Sequence, residues 1–157
     1  MDNYLNMLKD SLIKKEKILI DLQARSEEQG ELVKAQEVDW DKFTRLVDEK
    51  GELVEEIVKL DDGFETLYER IKEGLSENKD KYKDIIIEIQ KLIKSVTEKA
   101  TKLEVTEHHN KTAIEAAFSN TRKEIRQAKL GQKAAADYYN KMNKINTIDP
   151  QMLDRNC

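Results

Sequence analysis

The chain has 157 residues, of which 38% are charged and 38% hydrophobic, with one proline (Pro150) and five glycines to punctuate strands or hairpins. Sparse aromatics (6%) exclude a thick globular core, and the charged, leucine- and isoleucine-rich composition is that of long surface-rich helices. A formal charge of −4 excludes a general nucleic-acid binder, which needs an electropositive surface to displace counterions.

The charge is uneven. From Glu104 onward nine basic residues face seven acidic ones, a balance of +2, so the first 103 residues carry −6. No run of 18 apolar residues is present, and the N-terminus MDNYLNMLKD lacks the basic-then-apolar order of a signal peptide. Cys157 has no second cysteine to pair with. The expectation from these features is a cytoplasmic, all-α, elongated protein without membrane insertion.

The first helix is predicted to start at Asp2 or Asn3, either of which can cap free amide groups, and to end near Ala35. Leu5, Leu8, Leu12, Leu19 and Leu22 share one face, with Lys15 and Ser26 standing in the same stripe. A second helix opens at Asp39, a good cap, with Asp41 in the first turn where the helix dipole favours negative charge. Its stripe is read as Phe43, Leu46, Leu53, Ile57, Leu60, Phe64, Leu67 and Ile71, running through Gly63 as a tolerated interior glycine. Gly74 in a left-handed conformation, with Leu75 folded back on Ile71, is the predicted stop. The short link makes these two helices an antiparallel hairpin.

A third helix is predicted from Asn78 to Asn146 without a stop signal. Its stripe begins Tyr82, Ile86, Ile89, Ile93, Val96, Ala100, Leu103 and is interrupted by Glu107 and Asn110. It resumes at Ile114, Ala117, Thr121, Ile125, Ala128, Ala135, Tyr138, Met142 and Ile145. Spacing of this kind over many heptads is a coiled-coil signature. At ~1.5 Å per residue the helix would reach about 100 Å, twice the hairpin. The expected architecture is therefore a hairpin plus a very long third helix, a coiled coil or three-helix bundle. It divides into a bundle section (1–103), an overhanging half (104–146) and a tail (147–157) in which Met152 and Leu153 are the apolar side chains. The overhang is alanine-rich, so another helix can approach it closely; it folds back, dimerises or takes a partner.

Chemistry is tested against three constellations. The run EHH offers Glu104 and His108 at i, i+4, but adjacent His108 and His109 point about 100° apart on a helix. Without a second Glu-x-x-His motif, no metal site is expected. No glycine-bearing nucleophile elbow and no phosphate-binding glycine loop are present, so an enzyme is not expected, nor a cofactor. Arg122, Arg126, Lys129 and Lys133 share one helical face, as a solvated flank or as a steering surface for an acidic partner. Tyr138, Tyr139, Met142 and Ile145 are of the types enriched at interfaces and either pack on the chain's own bundle or face a partner.

The acidic hairpin with LDDGFETLYERIK, and the wording EIRQAK…AA..YYNKMN…DPQMLD from Arg122 to Asp154, resemble FlgN-type flagellar export chaperones. The resemblance implies a cytoplasmic chaperone in flagellum biogenesis. Such a chaperone binds the helical termini of hook–filament junction (hook-associated) proteins and delivers them to the type III secretion apparatus, at its export gate or ATPase complex. It implies cargo binding in the C-terminal helical part, here Ile114, Ala117, Ile125, Ala128, Ala135 and Met142. It also implies a docking aromatic near the end, matched by Tyr138 or Tyr139. Better-known members carry a glycine-flanked tyrosine, whereas Asn140 and Lys141 follow here. The alternative is a structural coiled-coil homodimer, or a helical adaptor without an export role.

Overall fold

The computed structural model describes residues 2–120 and 126–145. The described residues are all-helical: α1 spans Asp2–Val33, α2 Trp40–Glu77, α3 Lys83–Ser119 and α4 Arg126–Met142. Asp39 caps α2 as expected, its carboxylate accepting from the Lys42 amide at 3.1 Å. Helix α2 runs unbroken through Gly63. It does not stop at Gly74, and no glycine among the described residues has positive φ. The helix instead closes at Asn78, whose side chain donates to the Gly74 carbonyl (2.9 Å) while its amide bonds the Leu75 carbonyl. Leu75 is a core residue, so burial carries the helix past the glycine.

Cross-helix contacts set the directions. Lys15 meets Asp61 and Gln29 meets Lys50, so α1 and α2 are antiparallel. Lys9 meets Glu88, Glu16 meets Ser95 and Ser26 meets Glu107, so α3 runs parallel to α1. Helix α4 lies along α2 in the same sense: Gly131 sits on Trp40 and Phe43, Tyr138 on Lys50, and Lys141 pairs with Glu55.

The single helix expected over 78–146 is thus two helices. On one straight helix Glu107 and Tyr138 would lie ~46 Å apart, yet both are packed around Lys50. The overhang folds back because its stripe is apolar enough to need cover, and its alanines and Gly131 are slim enough to be covered by the hairpin. A Cβ on Gly131 would stand 3.1 Å from the Phe43 ring and 3.3 Å from Trp40. Trp40 in turn stacks on Phe118 at 4.7 Å, closing the end of the bundle where α3 stops.

The result is an up-down-up-down bundle with two unlike ends. Residues 5–19, 57–75 and 82–100 form a three-helix section filled by Leu8, Phe64, Tyr68, Ile71 and Ile89. The other end gains α4 and four-helix section geometry. One core cluster runs through both, so no break in packing marks residue 103.

Candidate functional site

The core positions follow a strict four-three spacing. On α1 they are Leu5, Leu8, Leu12, Lys15, Leu19, Leu22, Ser26, Gln29 and Val33; on α2, Phe43, Val47, Lys50, Val54, Ile57, Asp61, Phe64, Tyr68, Ile71 and Leu75. Leu53, Leu60 and Leu67 lie on the flank, half-buried, while Val47, Lys50, Val54, Asp61 and Tyr68 take the centre. Leu46 is buried with them.

At the level where α4 joins, polar residues from three helices occupy the centre. The Lys50 ammonium is fully buried and donates to Gln29 Oε1 (2.5 Å) and Glu107 Oε1 (2.7 Å). The Ser26 hydroxyl also donates to Glu107, and Asn110 Nδ2 donates to the Ser26 carbonyl at 2.7 Å. Gly30 makes room for Asn110: a Cβ there would stand 2.8 Å from Asn110 Oδ1. Helix α4 supplies the roof, with Lys50 Nζ 4.3 Å from the centre of the Tyr138 ring. Burial lowers the Lys50 pKa, an effect only partly offset by Glu107. Burial likewise raises both tyrosine pKa values, with the negative charge of Glu107 adding to the shift. Four buried atoms of this cluster lack a hydrogen-bond partner: Gln29 Nε2, Glu107 Oε2 and the hydroxyls of Tyr138 and Tyr139.

The residues expected to face a partner are distributed over this arrangement. Ile114, Ala128, Ala135 and Tyr138 are buried against the chain's own helices; Ala117, Tyr139, Met142 and Ile145 are half-buried there. Of the basic face, Arg126, Lys129 and Lys133 are exposed on the far side of α4 from Ala128 and Ala135. Leu130 lies exposed among them. Arg122, Thr121, Ile125 and the tail with Met152, Leu153 and Cys157 lie outside the described residues. His108 and His109 are both exposed.

Between α3 and the end of α4 a cleft of about 360 Å³ opens, with Leu19 of α1 in its wall. Glu104, Glu107 and His108 contribute from α3, and Tyr139 and Met142 from α4. Among the described residues no group of His, Cys, Asp or Glu comes together in a way that could hold a metal ion, and no helix is long and apolar enough to cross a membrane.

Reading the sequence by apolarity missed Lys50, Asp61, Gln29 and Gly131. The signal that could have found the first three was the four-three spacing itself, which places polar residues in register with the leucines. In comparison with known proteins, the chain matches no family model, no curated protein and no solved structure.

Proposed function

We propose that this chain is a helix-binding protein of the FlgN type: a cytoplasmic chaperone that holds the helical termini of flagellar hook–filament junction proteins and hands them to the type III export apparatus. The observation that supports this reading most is the seat of α4. At 17 residues it is ~26 Å long against ~48–57 Å for the other three helices. It lies along only the Trp40–Glu55 part of α2, pressing its own Ala128, Gly131 and Ala135 against the bundle. An amphipathic helix from a client has the same shape and needs the same kind of seat.

The client helix reaches Ile114, Ala117, Ala128, Ala135 and Met142 when α4 swings away from α2. The unpartnered atoms beneath α4 lower the cost of that exchange, because a buried polar group without a hydrogen bond weakens the closed state. The exposed Arg126, Lys129 and Lys133 steer an acidic client towards the seat. A client that folds as it binds is held weakly for the area it covers, which suits a carrier that must release it.

Titration with synthetic peptides of junction-protein termini tests the reading, followed by light scattering and by the emission of Trp40, the sole tryptophan. The expected result is a 1:1 complex, a change in Trp40 emission, and tighter binding by Gly131→Val, whose added side chain loosens α4. A homodimer that ignores every peptide would instead establish a structural coiled coil.

A further inference from the structure

We propose that the cleft between α3 and the end of α4 is a receptor for one arginine side chain of an approaching client segment, engaged while α4 is still seated on α2. This rests on the reading of the chain as a holder of helical segments, and it adds the chemistry of recognition. The first observation is Glu107. It is 4% exposed and lines the cleft; Oε1 accepts from Ser26 and Lys50, while Oε2 is buried beside the Tyr138 hydroxyl with no donor in good hydrogen-bonding geometry. A buried carboxylate oxygen without a donor is costly, so a site that offers one favours a ligand carrying N–H groups.

The second observation is Tyr139, which lines the same cleft and has a buried hydroxyl with no partner. The face of its ring already attracts a cation, since the Lys111 ammonium lies 5.7 Å from the ring centre. Lys111 is itself exposed and reaches that position from the cleft wall, so it acts as an internal stand-in for an incoming cation. The third is the division of the wall. Leu19, Leu103, Met142 and Ile145 give an apolar surface for a methylene stem, while Glu104 adds a second carboxylate. An arginine matches all three parts: an apolar stem, a planar group that stacks on an aromatic ring, and several donors for a carboxylate. Lysine matches them less well, because its ammonium is more strongly hydrated and cannot stack.

The test uses n-butylguanidinium as probe on the full chain, followed by amide shifts in two-dimensional NMR, with n-butanol as the uncharged control. Saturable shifts are expected at Leu19, Leu103, Tyr139 and Met142 with the guanidinium and not with the alcohol. Glu104→Gln should weaken binding about threefold, the scale of one exposed charge contact. Lys111→Ala should tighten it by removing the internal competitor. Equal shifts with n-butanol, no saturation, or indifference to Lys111→Ala would each overturn the proposal. Guanidinium binding in a chain that captures no junction-protein peptide would retain the pocket and refute the client reading. Peptide capture without guanidinium binding would do the opposite.

Discussion

The two ends of the bundle each bury a lysine–carboxylate pair, and they use it differently. At the three-helix end Lys15 and Asp61, 2.6 Å apart, join the two arms of the hairpin among large apolar side chains. At the four-helix end Lys50 and Glu107 join the hairpin to α3, and α4 covers them through the Tyr138 ring. The first pair is internal to a unit that closes over a short link. The second joins α2 to α3 over a link just as short, but leaves several of its neighbours' polar atoms unsatisfied. Buried ion pairs repay their desolvation only when the surrounding hydrogen bonds are complete, so the four-helix end is the weaker of the two.

The largest expected effect comes from breaking either pair. Glu107→Gln strands the Lys50 ammonium and should cost about 3–5 kcal/mol in denaturant unfolding, as should Asp61→Asn for Lys15. The two variants separate in Trp40 emission, which should change for Glu107→Gln and stay constant for Asp61→Asn, because Trp40 packs at the α4 end. Identical emission in both would erase the distinction between the ends. The double variant Lys50→Met with Glu107→Leu should recover most of the loss, since a packed apolar pair avoids the desolvation altogether.

Alkaline titration probes chiefly the four-helix end, where Tyr138 and Tyr139 lie. The folded Tyr138 and Tyr139 hold their protons above the usual value of 10.0. The folded state therefore binds more protons than the unfolded one once the pH passes about 10, and stability then falls by about 1.4 kcal/mol per pH unit for each tyrosine. Lys50 acts in the opposite sense. Its lowered pKa makes the unfolded chain the better proton binder, so its contribution rises with pH and levels off past the usual 10.5. Above that point the tyrosines dominate. Tyr139→Phe should halve the alkaline slope while leaving stability at neutral pH equal or higher; an unchanged slope would show that its phenol titrates normally.

Two glycines give the smaller effects. Gly131→Val forces a side chain against Phe43 and Trp40 and should cost about 1–3 kcal/mol, with Trp40 emission reporting the displaced α4. Gly63→Ala should add about 0.5–1 kcal/mol, since a Cβ there meets nothing within 4 Å and the helix loses only the entropy that glycine carries in the unfolded chain. A loss at Gly63 would mean that the three-helix end is more crowded than its packing indicates.

Much of this fold is written in local spacing. Side chains three and four apart meet on one helix face, so the runs from Leu5 to Leu22 and from Tyr82 to Leu103 define core faces without reference to any other element, and Asp39 marks a helix start because a cap acts within three residues. Even the polar members, Lys15, Ser26, Glu107 and Asn110, stand in register in the sequence. What spacing cannot tell is which helix answers each of them. That Lys15 meets Asp61 across 46 residues, and Lys50 meets Glu107 across 57, depends on the relative register of separate helices. The reversal that lays α4 on α2 is of the same kind. A continuous helix and a folded-back pair satisfy the same local hydrogen bonds and the same stripe. Only the apolar surface that Gly131, Ala128, Ala135 and Tyr138 bury against the hairpin separates them, and that surface exists only once the tertiary structure has formed.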